Sequence, residues 1–386
     1  MNDDLLPSRA RSFGLEALLV CGPLAAALLG FVVRYAAYAA VIPGASLAAF
    51  VDDLCRWDCQ WYVRIAESGY DSFPVASMVN AGNWAFFPLY PMLVGGLRLV
   101  TGLPTMVVAT TLSLVISLAS ARLAWPLLGR DLRAYALFSC YLLCGPFSIY
   151  FTTFYTEVLF LFLAVAVFVA LRKRCFLLAG ALAGLLSATR IVGVFIVFAL
   201  LFEFWRVHRD EGGNWRNFVP VVLGRPDWLL ALFLAPSGLF AYMAFLHVQV
   251  GDAFAFSHVQ RAWARPMGDP LAFVWNALSN VPQAGWLPTV SQQLAAATLA
   301  GYMLLAMLVL RRRYGMAIFS AFCLTLPLFA GMASMLRFVA GLAPMPLMLC
   351  EFVSERRWLW MVVIVAFPAA GFFAAIGWLQ GVLTLV

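Results

Sequence analysis

The sequence contains few charged residues. They make up 11% of its 386 positions, whereas hydrophobic residues make up 64%, and the mean hydropathy is +0.92. Soluble globular domains carry about 25% charged residues, so this composition excludes a soluble globular protein. Apolar runs of roughly 16–25 residues recur along the chain, which is the length of helical membrane spans. The sequence therefore predicts an all-α polytopic membrane protein, with residues 1–386 forming one integral domain in the lipid bilayer.

Lysine is almost absent, since Lys173 is the only one. No Gly-x-Gly-x-x-Gly turn and no Gly-Lys-Ser/Thr phosphate loop occurs, which argues against nucleotide-driven chemistry. The three histidines and eight cysteines do not have metal-ligand spacing, so neither a metal nor another cofactor is expected. Asp52 and Asp53 leave a divalent cation open, although adjacent side chains on a helix diverge by about 100°.

The formal net charge of +7 is divided among short basic clusters that lie between the apolar runs. A nucleic-acid-binding protein gathers such residues in one patch, so no nucleic acid is expected as a partner. The clusters instead indicate cytoplasmic loops, and this rule predicts about eleven spans. The first span begins near Phe13 and is expected to be an anchor rather than a removable signal peptide. The predicted spans are residues 13–40, 105–121, 134–150, 158–171, 175–188, 191–205, 228–248, 292–310, 315–332, 338–352 and 358–383.

The same rule places two long loops, residues 41–104 and 249–290, on the non-cytoplasmic side. This requires residues 86–101 to lie on the outer membrane surface as an amphipathic helix. Some arginines fall outside the cytoplasmic clusters and need another reason to be present. They are Arg34, Arg56, Arg64, Arg98, Arg190, Arg261, Arg265 and Arg337.

The first long loop combines carboxylates with aromatic side chains. It contains Trp57-Asp58, Trp61-Tyr62 and the segment 86–91, Phe-Phe-Pro-Leu-Tyr-Pro. Sugar rings have apolar faces that stack on aromatic rings, and a carboxylate accepts a proton from an attacking hydroxyl group. Tryptophan and tyrosine are also enriched at membrane interfaces whatever the function, so composition alone leaves both interpretations open.

The order of several motifs adds a resemblance to a known family. The motifs are Trp57-Asp58-x-x-Trp61-Tyr62, Ile65-Ala66-x-x-Gly69-Tyr70, Phe86-Phe87-Pro88-Leu89-Tyr90-Pro91, Tyr155-Thr156-Glu157, Ala179-Gly180 before Thr189-Arg190, Gly251-Asp252 before His258-x-Gln260-x-x-Trp263, and Ser334-x-x-Arg337-Phe338. Together they resemble the PIG-V-like mannosyltransferase family, membrane enzymes of the C-type glycosyltransferase superfamily. The resemblance covers most of the chain, from about residue 50 to about residue 345.

The resemblance implies the C-type glycosyltransferase fold and a polyprenyl-phosphate-linked sugar as donor. A hexose, mannose in the known eukaryotic members, would pass with inversion to a hydroxyl group of a glycolipid or glycan acceptor on the periplasmic, extracellular or lumenal side. By motif position, Asp58 would be the catalytic carboxylate. One departure is Cys59, which stands where the family usually has glycine, so backbone conformations that only glycine reaches would be lost. A Cys55–Cys59 disulfide stays open because residues four apart on a helix are marginally placed for one.

The donor phosphate needs positive partners, because its negative charge has to be held as it leaves. Arg190 and Arg337 are the leading candidates, since a guanidinium donates two hydrogen bonds to a phosphate, and Arg64 ranks below them. The alternative for these arginines is snorkelling to the membrane interface. The residues expected to contact sugar or acceptor are Trp57, Trp61, Tyr62, Tyr90, Glu157, His258 and Gln260.

Two of these polar residues have structural alternatives. Glu157 could orient acceptor hydroxyls or pair with Arg190, because an acid at the edge of a span needs a wet cavity or a partner. It could instead complement the dipole of the helix that it begins. His258 could bind sugar or phosphate or serve the fold.

The rival function is a transporter or lipid-linked-glycan flippase. That class predicts ionisable residues near the bilayer midplane and paired broken helices. An inactive scaffold of the same fold is a third alternative because of Cys59. The sequence does not predict the acceptor, the linkage or the oligomeric state.

Overall fold

A computed structural model of the chain describes residues 8–44, 46–74, 81–263, 267–279 and 289–382. Over these residues the chain is built from α-helices, short 3₁₀ turns and connecting loops. The helices are α1 (Ser8–Val41), α2 (Leu47–Asp53), α3 (Asp58–Ser68), α4 (Leu89–Thr101), α5 (Thr105–Ala124), α6 (Leu132–Leu143), α7 (Ser148–Thr152), α8 (Glu157–Arg172), α9 (Phe176–Ser187), α10 (Ile196–Asp210), α11 (Phe218–Gly224), α12 (Pro226–Leu234), α13 (Ser237–Val250), α14 (Ala255–His258), α15 (Pro270–Ser279), α16 (Val290–Leu310), α17 (Tyr314–Leu328), α18 (Met335–Gly341), α19 (Pro344–Ser354) and α20 (Arg357–Leu379).

Several of these helices can cross a bilayer. Within the described residues, five helical segments are long and apolar enough, and two bent pairs, α12–α13 at 41° and α18–α19 at 67°, raise the number to as many as seven. The five segments are 14–41, 105–124, 191–210, 290–310 and 357–379. The predicted all-α polytopic membrane protein is confirmed. The number of eleven spans stays a prediction, because some of the predicted spans are shorter apolar helices, such as α6, α9 and α17.

One predicted span, residues 134–150, is broken in the middle. Helix α6 ends at Leu143 and α7 begins at Ser148. Arg34 of α1 reaches the break, where its Nη1 donates to the Leu143 carbonyl at 2.9 Å and to Ser148 Oγ at 3.2 Å. Because carbonyls at a helix end lack helical partners, this side chain, only 7% exposed, satisfies one of them. Arg34 therefore has a structural reason to lie in an apolar span.

Gly30 allows α1 to approach this break. A Cβ atom at Gly30 would lie 1.8 Å from the Leu143 oxygen, closer than any side chain permits. Larger residues at this position would therefore push α1 away from the end of α6 and separate Arg34 from its two acceptors.

Helix α8 lies at the centre of the bundle. It packs against α5 and α9, and its residues from Glu157 to Leu171 are buried with the exception of Phe162. A helix that is hydrophobic on all sides is stable only when other helices surround it. The first residue of this central helix is a glutamate, so the fold brings a carboxylate to the buried end of α8.

The segment predicted to lie on the membrane surface forms α4. One face of α4 is buried against the protein through Tyr90 and Val94, whereas Met92, Leu99 and Val100 are exposed. Exposed apolar side chains on an amphipathic helix are what a membrane-surface helix requires. The fold thus provides an exposed apolar strip within the first long loop.

Candidate active site

The turn between α2 and α3 carries the Trp57-Asp58 motif. Two buried aromatic residues hold this turn through its carbonyls. Trp378 Nε1 donates to the Leu54 oxygen at 3.0 Å, and the Tyr155 hydroxyl donates to the Arg56 oxygen at 2.8 Å. Asp58, the first residue of α3, is therefore presented by a turn that is fixed from two sides.

Trp57 has a φ angle of +48°, in the left-handed region that non-glycine residues rarely adopt. Such a conformation costs about 1–3 kcal/mol and persists only where the surroundings enforce it. Here the indole ring packs edge-on against Trp378, with 4.5 Å between ring centroids. The strained residue stands directly before Asp58, so the direction of that carboxylate depends on this packing.

A disulfide joins Cys55 and Cys59, with a Cα–Cα distance of 5.2 Å. The objection to an i, i+4 pair on one helix does not apply, because Cys55 lies in the turn and only Cys59 lies in α3. Cys59 itself has a helical backbone, and the positive φ falls on Trp57 instead. The cysteine at position 59 therefore needs no backbone conformation that cysteine cannot reach.

Four ionisable side chains form a continuous chain of charges behind the turn. Arg337 Nη1 lies 2.6 Å from Asp58 Oδ2 and 3.9 Å from Glu157 Oε1. Glu157 Oε1 also accepts a hydrogen bond from Arg190 Nη1 at 2.8 Å. The side chains of Glu157 and Arg337 are 1% and 7% exposed, whereas Asp58 is 24% exposed. Two carboxylates and two guanidinium groups thus alternate, and Asp58 is the more accessible of the two carboxylates.

Some polar atoms of this chain have no protein partner. Arg337 Nε and Glu157 Oε2 are buried without a hydrogen bond to the described residues. Unpaired buried polar atoms are costly, so each such group calls for an explanation, such as a bound ligand or a water molecule. Arg337 also stacks over the Tyr155 ring, and Arg190 stacks over Phe338 at 4.6 Å. These stacked rings orient both guanidinium groups.

A pocket of about 410 Å³ lies over these charges, and several aromatic rings form part of its walls. Trp61 stacks on Phe86 with a centroid distance of 5.7 Å, and Trp263 meets both rings edge-on. Flat apolar walls beside a carboxylate and two guanidinium groups suit a ligand that has an apolar face, hydroxyl groups and a negative charge. The lining residues are Trp57, Asp58, Gln60, Trp61, Tyr62, Ala85, Phe86, Phe87, Thr189, Arg190, Ile191, Val192, Gln260, Trp263, Ser334, Arg337 and Phe338.

Tyr62 contributes a neutral hydroxyl group to the pocket. Burial raises the pKa of its phenol above the ordinary value, and the nearby carboxylate of Glu157 raises it further. The hydroxyl lies 3.2 Å from Thr156 Oγ1. Tyr62 therefore offers a hydrogen bond and an aromatic surface without adding a charge.

A second cavity of about 620 Å³ adjoins the pocket and shares part of its wall. Ile191, Val192 and Phe338 line both cavities. The second cavity continues past Phe195 to Leu326, in the last turn of α17. Its lining is mainly apolar. A charged pocket that opens into an apolar groove fits an amphiphilic ligand better than a fully water-soluble one.

The structure separates Tyr90 from the other predicted sugar-binding residues. Its side chain is fully buried, and its hydroxyl lies 2.5 Å from Ser113 Oγ and donates to the Ala109 carbonyl. The ring packs against Phe154 rather than facing Asp58. The sequence-based placement of Tyr90 in the pocket is therefore corrected, because the amphipathic helix turns this position inward.

Arg64 and His258 also lie outside the pocket. Arg64 Nη2 pairs with Asp71 Oδ1 at 2.6 Å, on the exposed side of α3. His258 Nδ1 lies 2.7 Å from Asp252 Oδ2, and this hydrogen bond lowers the pKa of Asp252. Its ring is mostly exposed and borders the apolar groove. Arg64 therefore has a structural partner, and His258 stands at the rim of the neighbouring cavity.

The remaining predicted residues converge on the pocket. Asp58, Arg190 and Arg337 line it together with Gln260, and Glu157 lies behind them. The predicted pairing of Glu157 with Arg190 is present, and Glu157 is also the first residue of α8, so both interpretations of this residue apply.

The sequence predicts no role for several lining residues, including Trp263 and Phe338. Both stand inside motifs that were noticed, His258-x-Gln260-x-x-Trp263 and Ser334-x-x-Arg337-Phe338. Their position beside a candidate polar residue could have predicted that they line the pocket, since aromatic rings commonly stack on sugars and guanidinium groups.

No metal site is evident in the described part of the chain, where no three His, Cys, Asp or Glu side chains cluster. Asp52 and Asp53, for which the sequence allows a divalent cation, have different surroundings. Asp53 Oδ2 accepts a hydrogen bond from the Tyr38 hydroxyl at 2.7 Å, whereas Asp52 borders a separate cavity beside Glu67.

The chemistry of the pocket is a partly exposed carboxylate, two oriented guanidinium groups and aromatic walls. Such a set can accept a proton from a hydroxyl group and hold a phosphate that leaves. No protein-family model and no curated protein sequence matches this chain. Its function is therefore inferred from the pocket and the motifs.

Proposed function

We propose that this protein is an inverting membrane glycosyltransferase that moves a hexose from a polyprenyl-phosphate donor to an acceptor hydroxyl group. The observation that carries the proposal is the chain Asp58–Arg337–Glu157–Arg190 at the base of an aromatic pocket. It supplies both a proton acceptor and two cations for a leaving phosphate in one cavity.

In the proposed reaction the acceptor oxygen attacks the anomeric carbon of the donor sugar. Asp58 takes the proton of the acceptor hydroxyl as the new C–O bond forms. Arg337 binds Oδ2 of Asp58, and we assign the proton to the other carboxylate oxygen, Oδ1. The bond between the anomeric carbon and the phosphate oxygen breaks, and the phosphate leaves with the electron pair.

The leaving phosphate gains negative charge, which Arg190 and Arg337 stabilise. Both guanidinium groups line the pocket and are already oriented by Glu157 and by aromatic rings. Because oriented charges need no reorganisation when charge develops, they lower the transition state more than the ground state.

The polyprenyl chain of the donor fits the adjoining groove. That groove shares lining residues with the pocket. It has a volume of about 620 Å³ and is lined mainly by apolar side chains. We propose eleven spans with the pocket on the non-cytoplasmic side, because the basic clusters gather at the other helix ends. Mannose as the sugar rests on the resemblance of the motifs, and a glycolipid or glycan is the acceptor class that this resemblance implies.

The test is transfer of radiolabelled mannose from a polyprenyl phosphate by purified protein, with membrane extract as acceptor. We expect transfer to fall at least ~100-fold in Asp58→Asn, the lower end for the loss of a general base. Asp227→Asn is the matched control, because this exposed aspartate of the first turn of α12 makes the same chemical change far from the pocket. Equal activity in wild type and Asp58→Asn excludes the assigned role, and no use of any polyprenyl-phosphate sugar excludes the enzyme class.

A lipid-linked-glycan flippase is the second candidate, and the bent pair α18–α19 favours it. The pair is kinked by 67° and carries Arg337 in its first half, which resembles the broken helices of transporters. A flippase would move the lipid-linked glycan across liposome membranes without cleaving the sugar–phosphate bond. Transport that persists in Asp58→Asn, with no sugar transfer in wild type, supports this second candidate.

A further inference from the structure

A basic cavity of about 300 Å³ lies at the end of the bundle opposite the candidate active site. Helix α8 begins at Glu157 in the site and ends at Arg172 in this cavity, about 22 Å away at 1.5 Å per residue. Its lining residues are Leu127, Phe168, Leu171, Arg172, Phe202, Glu203, Arg206, Arg312, Arg313, Tyr314, Gly315 and Met316.

The charges of this cavity are unbalanced, since four arginines line it against one glutamate. Glu203 is held by Arg206 in a salt bridge of 2.8 Å. Arg313 pairs with Glu351 at 2.6 Å, outside the lining, and donates to the Leu127 carbonyl. These two arginines are therefore fixed in place by the protein itself.

The other two arginines keep most of their donors free. Arg172 uses Nη1 for the Pro126 carbonyl. The Arg312 side chain has no hydrogen-bond or ion-pair partner within the described ranges, and its residue stands at a left-handed φ of +57° just after α16. A guanidinium carries five N–H donors in a fixed fork, so both side chains can bind an anion.

The surroundings of the cavity also suit an anion attached to a lipid. Tyr314 lines the cavity and is exposed, and Leu310, also exposed, ends α16, which is long and apolar enough to cross a bilayer. The first turn of α17, which borders the cavity, contains no acidic residue and no side-chain cap. The preference of basic residues for one membrane side explains why arginines occur at this end, but not why four converge on one cavity.

We propose that this cavity binds a phosphate-bearing anion through Arg312 and Arg172, with Arg206 and Arg313 holding its walls. Basic pockets between helices at a membrane surface commonly take the headgroups of anionic lipids, and a soluble phosphate offers the same chemistry. The site is separate from the candidate active site, so it does not depend on the proposed transferase function.

The test is native mass spectrometry of the purified, delipidated protein with phosphatidylglycerol or phosphatidylcholine of matched acyl chains. Arg312→Gln is expected to lower phosphatidylglycerol occupancy about fivefold, since one arginine near a headgroup is worth about 1 kcal/mol. Arg311→Gln is the matched control: it removes the same charge from the adjacent residue, which pairs with Glu355 and does not line the cavity. Arg172→Gln should act in the same direction as Arg312→Gln.

Inorganic pyrophosphate distinguishes the two sources of phosphate. Displacement of phosphatidylglycerol by pyrophosphate from wild type indicates that the arginines hold the lipid phosphate. Pyrophosphate binding that requires Arg312, without lipid binding, assigns the site to a soluble anion. Equal loss of lipid in Arg312→Gln and Arg311→Gln, or no loss in either while both remain folded by thermal unfolding, would overturn the proposal.

Discussion

Arg337 and Asp58 lie 279 positions apart in the chain, and their side chains meet at 2.6 Å between Nη1 and Oδ2. Arg337 is almost fully buried, whereas Asp58 opens to the pocket. The position of the proposed catalytic carboxylate therefore depends on a residue of a different, bent helix pair. In the proposed reaction the same guanidinium group serves Asp58 and the donor phosphate at once, which a planar fork with several donors allows.

Arg337→Lys should separate charge from geometry at this position. A lysine keeps the positive charge but cannot present the fork that reaches Asp58 and a phosphate together. Losing one hydrogen bond to a charged group costs about 1.5–3 kcal/mol, so kcat/KM for sugar transfer should fall roughly 10–100-fold. Steady-state kinetics at saturating acceptor measures this.

Arg64→Lys is the matched control for that experiment. Arg64 pairs with Asp71 away from the pocket, and its side chain is 41% exposed. Exposed ion pairs contribute about 0–1 kcal/mol, so the change should leave transfer within about twofold of wild type. A loss in Arg64→Lys as large as in Arg337→Lys would return Arg64 to the site and contradict the geometry.

Glu157→Gln should destabilise the fold as well as the site. Glu157 is 1% exposed and lies between two guanidinium groups, so its neutralisation leaves buried positive charges without their partner. Removing one partner of a buried ion pair costs about 3–5 kcal/mol. Thermal unfolding in detergent should therefore show a clearly lower midpoint. Glu67→Gln, at an exposed carboxylate bonded to Thr105, should leave the midpoint almost unchanged; similar midpoints for both variants would mean that the charge chain does not stabilise the fold.

Trp263→Leu should weaken substrate binding more than it slows chemistry. The indole forms an aromatic wall of the pocket against Trp61 and Phe86. Aromatic contacts are worth about 0.5–1.5 kcal/mol, so KM for the donor should rise roughly 2–10-fold with little change in kcat. Trp275→Leu makes the same change on the exposed face of α15 and is the control. A fall in kcat at unchanged KM would contradict a role in binding.

The sequence was sufficient for the helical membrane class and for most of the charged residues of the site. Long apolar runs predict helices because a helix satisfies its backbone hydrogen bonds within one segment, and short motifs point to Asp58, Arg190 and Arg337. Charge counting could not show that Arg34 belongs to a helix break, because that role depends on the end of α6 over a hundred positions away.

Tyr90 and Cys59 show what the sequence could not provide. Tyr90 was expected in the pocket because its motif lies near Asp58 in the same loop, but the direction of a side chain on an amphipathic helix is set by the packing of α4. The sequence leaves the disulfide open, because one continuous helix would place Cys55 and Cys59 poorly for a bridge. The backbone reversal at Trp57, with its positive φ, has no sequence signal of its own.

The membrane side of the pocket can be tested with the cysteines. Cys55 is partly exposed, whereas Cys59 is fully buried, so a reagent applied after reduction should modify Cys55 first. If the pocket faces the non-cytoplasmic side, a membrane-impermeant maleimide added to intact cells with a reductant should label Cys55, located by peptide mass spectrometry. Cys175, exposed at the other end of the bundle beside α8, should be labelled only after permeabilisation. Omitting the reductant should protect Cys55 and leave Cys175 unaffected. Labelling of Cys175 but not of Cys55 in intact cells would show that the pocket faces the cytoplasm, because the two residues lie at opposite ends of the same bundle.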